Sequence, residues 1–153
     1  LMDTQSTHTL AAWAVRYAKE RYMPLCTQLC PDETRLMQAV DACGEHLAGR
    51  MSLRTLQPVL RQAAQAGREM EGPVAQAAAR AVATACAAVR TPTSALGALF
   101  YGAAAIAYHQ AGTGQTPEVY DTIAREEFRR ALESLQAVAI PNEQHPAHLV
   151  WNC

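Results

Sequence analysis

Three prolines stand directly after a residue able to open a helix: Gly72-Pro73, Thr91-Pro92 and Thr116-Pro117. Proline at the first helical position gives up an amide that has no intrahelical partner, and its fixed φ suits the turn that follows. Each pair precedes a run of good helix formers, so the spacing predicts helices over 73–90, 92–110 and 117–138. Gly112 to Gln115 reads as a tight loop, and Pro141 closes the last helix.

Between Glu71 and Glu118 no acidic residue occurs, and Arg80 and Arg90 are the only formal charges. Ala75, Ala78, Ala79, Ala85, Ala95, Ala98, Gly102 and Ala105 repeat there at three- and four-residue spacing, which lets two backbones approach closely. This predicts a buried, alanine-rich helical hairpin over 73–90 and 92–110 at the centre of the fold. Arg80 and the proline breaks interrupt the apolar text well short of the roughly 20 residues a membrane span needs, so no membrane is expected as partner.

Upstream, Leu10, Trp13, Ala14, Tyr17 and Ala18 recur at helical spacing and predict a helix over 8–29 capped by Thr7 and bent at Pro24. Asp32 and Glu33 put negative charge at the start of a second helix, 32–48, which Gly49 ends. A third runs over 53–70, with Pro58 either in the first turn after a Thr55 cap or inside a helix begun at Ser52. No alternating strand pattern is bounded by hairpin turns. The expectation is an all-α chain: a single-domain bundle or array of about six helices over residues 1–140, with 141–153 as a docked or flexible tail that Val150 and Trp151 could anchor. At 153 residues the chain can bury roughly two thirds of its unfolded surface without a covalent staple.

The formal charge of −1 gives no basic footprint for nucleic acid. Lys19 is the only lysine, which removes a phosphate-binding loop of the Gly-rich, lysine-terminated kind. Five cysteines, an odd number in alanine-rich helical text, read as reduced thiols of a cytoplasmic protein, and no export signal is recognisable at the start.

Cys26, Cys30, Cys43 and His46 carry zinc-ligand residue types, but Cys43 lies about 16 Å along its helix from the turn, away from Cys30. His145, His148 and Cys153 form a weaker set in the tail. Asp41 and Glu45 share a helical face without the inward Glu-x-x-His pairs of a di-iron bundle. No nucleophile elbow, zincin or Cys-x-x-Cys motif occurs. The expectation is therefore no catalytic residue, no metal and no cofactor, with His109 the first candidate base were a site assembled from distant residues. For a partner, the exposed face of the last helix is the candidate: from Glu118 to Glu133 it carries five acids and three bases, and Glu126, Glu127 and Glu133 are the residues that would meet a basic surface. The same spacing also suits i,i+4 pairs on a solvated face, Asp121 with Arg125, Glu126 with Arg130 and Arg129 with Glu133.

Leu10-Ala11-Ala12-Trp13-Ala14, Ala18, Pro24-Leu25, Pro31-Asp32, Arg35 and Ala39 together resemble the opening of immunity family five, a family of bacterial immunity proteins. Thr84-Ala85, then Ala95-Leu96-Gly97-Ala98 with Tyr101, resemble its central segment, and the final Glu/Arg helix its C-terminal one, so the similarity reaches about Leu135. The family pattern has histidines where this chain has Cys86 and Ser94, and no histidine role carries over. The resemblance implies an all-α fold, no catalytic residue, and protection of a bacterial cell by binding a protein toxin of a polymorphic-toxin system. A structural or homo-oligomerising helical protein is the alternative, followed by an enzyme without a local motif.

Overall fold

Residues 1–149 are described by a computed structural model, and among them the α-helices number seven, with no strand. After a short 3-10 turn at Met2–Thr4 come α1 (Thr7–Arg21), α2 (Met23–Leu29), α3 (Arg35–Leu47), α4 (Leu53–Glu69), α5 (Pro73–Ala87), α6 (Ser94–Ala111) and α7 (Pro117–Val138).

The helix ends follow local chemistry, with some corrections. Ser6, not Thr7, caps α1: its hydroxyl accepts the Thr9 amide at 3.1 Å. The helix expected over 8–29 is two helices, because Pro24 has no amide to continue the ladder and falls in the first turn of α2, after a break at Tyr22. Asp32 and Glu33 lie before α3 rather than in it, and the Glu33 carboxylate accepts the Arg35 amide at 2.9 Å. At the other end of α3, Gly49 at φ 81 lets Arg50 N–H reach the Glu45 carbonyl at 2.8 Å and Gly49 N–H the His46 carbonyl at 3.0 Å, the paired closure that a left-handed residue permits. Ser52 caps α4 through the Thr55 amide, which leaves Pro58 inside the helix. α7 has the bounds its proline and Pro141 imply, whereas α6 begins two residues later than Thr91-Pro92 suggests, after a turn.

α5 packs against α1, α2, α3, α4 and α6. Its alanines make this possible: Ala75, Ala78, Ala79, Ala81, Val82 and Ala85 are all 1% exposed or less, so five neighbours approach without large side chains between them. α6 lies along α5 with Ala95, Ala98, Gly102 and Ala105 buried, and Gly97 is near enough that a β-carbon there would stand 3.3 Å from the Thr84 methyl. The outer side of α6 bears Phe100 and Tyr101 and meets α7.

The chain after α7 returns to the N-terminus. Ala147 N–H donates to the Gln5 carbonyl at 2.7 Å, and Ser6 and Pro146 form an isolated β-bridge. Gln5, itself 1% exposed, accepts the Ile140 amide at 2.8 Å and donates to the Ile140 carbonyl at 3.2 Å. Ala147 and Leu149 are buried. The anchoring expected of Val150 and Trp151 falls outside the described residues.

Candidate functional site

Two features of α7 combine polar chemistry with apolar surface. The first is a buried carboxylate. Glu127 is 1% exposed, on the same inward stripe as Ala131 and Leu135, and it accepts hydrogen bonds from the Tyr17 and Tyr22 hydroxyls, both at 3.0 Å, and from Arg21 Nε at 2.8 Å. A charge withdrawn from water is tolerated when it is paired and its lone pairs are occupied, and this one has a guanidinium and two phenols. Burial, and next the Glu127 charge, push both phenols well above the ordinary tyrosine range, so they remain donors. The arrangement joins α7 to the α1–α2 junction.

This corrects the sequence expectation for Glu127, which does not share an exposed face with Glu126. Neighbouring residues on a helix lie about 100° apart, so the pair straddles the boundary between inside and outside. Glu126 and Glu133 are on the outside, and both bind Arg129, Glu126 at 2.5 Å, with Arg130 also 3.6 Å from Glu126. Asp121 has no ion pair with Arg125 among the described residues and instead lines the second feature.

That feature is an apolar groove of about 250 Å³ between α6 and α7, floored by alanines such as Ala104, Ala107 and Ala124. Two edge-to-face ring pairs cross it: Phe100 with Phe128, centroids 5.5 Å apart, and Tyr108 with Tyr120 at 5.7 Å. Tyr120 also fixes the α6–α7 loop, donating to the Gly112 carbonyl at 2.7 Å and accepting the Gln115 amide at 3.1 Å. Phe100 is 51% exposed, Tyr101 40% and Leu132 47%. On the far side of Phe128 a second apolar hollow of about 190 Å³ continues past Leu132, Leu96 and Leu1. The result is a strip of aromatic and aliphatic surface edged by Asp121 and the charged outer face of α7.

The remaining candidates stay apart. Cys26 lies in α2 and Cys30 just past its C-terminus, whereas the Cys43 thiol contacts the Cys86 carbonyl at 3.7 Å and His46 Nδ1 pairs with the Met51 carbonyl at 2.8 Å. The Cys43 thiol and burial hold the Cys86 thiol well above its ordinary pKa, in its protonated form. Glu45 binds Arg50, not Asp41. His109 is exposed in the last turn of α6, and His145 and His148 are exposed in the returning segment. Among the described residues no three His, Cys, Asp or Glu side chains are grouped to hold a metal ion. The sequence reading missed the groove, because Phe100, Tyr101 and Phe128 are core-type residues whose exposure depends on how α6 and α7 meet.

Fold and side chains together define an all-α domain whose buried polar groups satisfy one another and whose least committed surface is apolar. A family model described as Imm-5 like putative immunity protein matches residues 1–138, and the chain belongs to that family. No curated protein and no solved structure matches it. Among the described residues no helix is long and apolar enough to cross a membrane.

Proposed function

We propose that this chain is an immunity protein that protects a bacterial cell by binding a protein toxin in the cytoplasm, without catalysis, through the α6–α7 face. The family supplies the functional class, and the exposed aromatic strip around Phe100 and Phe128 is the observation that carries the choice of face. Aromatic side chains in an apolar depression are where binding energy concentrates in protein interfaces, and a charged rim sets orientation and encounter rate. Glu126 and Glu133 form that rim. Glu127 serves from beneath, holding α7 against α1 and α2. The alanine-rich pair α5 and α6 is the rigid centre that presents the surface.

Co-expression tests the reading. Toxin domains from the polymorphic-toxin loci of the source genome are each expressed with the chain in a sensitive host. The proposal requires that one toxin be neutralised by wild type, with a 1:1 complex isolated, and that Phe100→Asp lose protection while its circular dichroism stays helical. If no toxin is neutralised, the immunity reading fails. Full protection by Phe100→Asp together with Phe128→Asp refutes the face, and a stable homo-oligomer sealed by these residues supports the oligomerising alternative.

A further inference from the structure

α4 and α5 pack together, and beside their contact lies an apolar hollow of about 270 Å³ that no residue of α6 or α7 lines. Leu60 and Ala64 of α4 and Ala87 at the end of α5 supply its apolar wall, each of them half-buried. Arg61, and Arg90 in the turn after α5, complete the lining but are exposed, so their stems lie along the wall with the guanidinium heads in water.

Charge is unevenly spread around this hollow. From His46 to Pro117 the chain carries Arg50, Arg54, Arg61, Arg68, Arg80 and Arg90 against Glu69 and Glu71 alone. Arg50 is bound to Glu45, and Glu69 is taken by Arg35 of α3 at 2.8 Å. Among the described residues Arg21, Arg35, Arg50, Arg129 and Arg130 all form ion pairs, whereas Arg54, Arg61, Arg68, Arg80 and Arg90 form none. Arg54, Arg61 and Arg68 recur every seven residues of α4, close to two turns, and so make a row about 21 Å long beside Gln57 and Ala64.

We propose that this face is a second docking surface, which binds an acidic protein segment by taking one aliphatic side chain into the hollow and flanking carboxylates onto Arg61 and Arg90. Guanidinium groups present paired donors to carboxylates, and an anchor seated between charges adds apolar burial to the electrostatic attraction. Nucleic acid is the poorer match, because no aromatic ring lines the hollow for a base to stack on. A second copy of the chain is poorer too, since Glu126 and Glu133 on its α7 already hold Arg129.

The test is fluorescence anisotropy of a labelled Glu/Asp peptide with one central Leu, titrated with the full chain. Binding should saturate and weaken as salt is raised. Arg61→Glu and Arg90→Glu should each weaken it roughly tenfold or more, while Arg16→Glu, the same charge change on the exposed side of α1, leaves it within about twofold. Replacing the peptide's Leu by Ser should cost roughly tenfold, and Ala64→Gln, which fills the hollow, should abolish that difference. Absence of saturable binding overturns the proposal, as does equal weakening by Arg16→Glu or equal affinity for the Leu and Ser peptides. Tighter binding of a single-stranded oligonucleotide, or self-association that Arg61→Glu abolishes, overturns it by assigning the face to another occupant.

Discussion

Tyr22 lies across the face of Gly102 so closely that a β-carbon on the glycine would stand 2.0 Å from the ring's Cζ. The contact lets the Tyr22 ring, 0% exposed, pass over α6 and deliver its hydroxyl to Glu127 on α7. Gly102→Ala should displace the ring and break that hydrogen bond. Overpacking alone costs about 1–3 kcal/mol, and the loss of a bond to a charged acceptor adds to it. Thermal unfolding should show a fall of several degrees; an unchanged midpoint would mean that Tyr22 has another place to go.

Glu127→Ala removes the carboxylate and leaves two buried phenols and a guanidinium facing a void. Breaking a buried pair costs about 3–5 kcal/mol, and the low end applies because the Arg21 side chain is 33% exposed. Glu127→Gln keeps the shape and should cost less. Chemical denaturation of both variants checks the order, and equal, small losses would show that the network adds little.

Ala78 is 0% exposed on α5. Ala78→Glu puts an unpaired charge where no water reaches and should cost several kcal/mol, read as loss of cooperative unfolding by circular dichroism. Retained cooperativity would contradict the close packing of α5.

The segment after α7 is tied to α1 by Glu143, which accepts the Thr9 hydroxyl at 2.6 Å, the Ser6 amide at 2.7 Å and the Ser6 hydroxyl at 2.9 Å. The Thr9 hydroxyl first, then the Ser6 amide, lower its pKa below the ordinary glutamate value. A carboxylate with a depressed folded pKa contributes stability that is present above its unfolded pKa and lost as pH falls through the folded one. Protease sensitivity of residues 140–149 should rise below that ordinary value, and Glu143→Gln should raise it at neutral pH and flatten the dependence. A pH profile identical in wild type and variant would assign the acid response to other groups.

Where order was local, it was legible in the sequence. Pro117 and Pro141 bracket α7 because proline acts within a turn, and Gly49 closes α3 for the same reason. The Tyr22 break was visible only as Pro24, which signalled a bend without revealing that the ladder would restart as α2. Glu127 could not be separated from Glu126 by charge pattern, since Tyr17, Arg21 and Tyr22 lie more than a hundred residues away in the chain. The aromatic groove depends on the same kind of distant meeting, between α6 and α7. Family resemblance bridged what periodicity could not, giving a family but no surface.

Hydrogen–deuterium exchange on the chain with and without a toxin identified by the co-expression test measures most directly which surface the proposed function uses. The account predicts new protection concentrated in 96–108 of α6 and 117–133 of α7, with α3 and α4 unchanged. Protection centred on α3 and α4, with α6 and α7 exchanging as in the free chain, would contradict it.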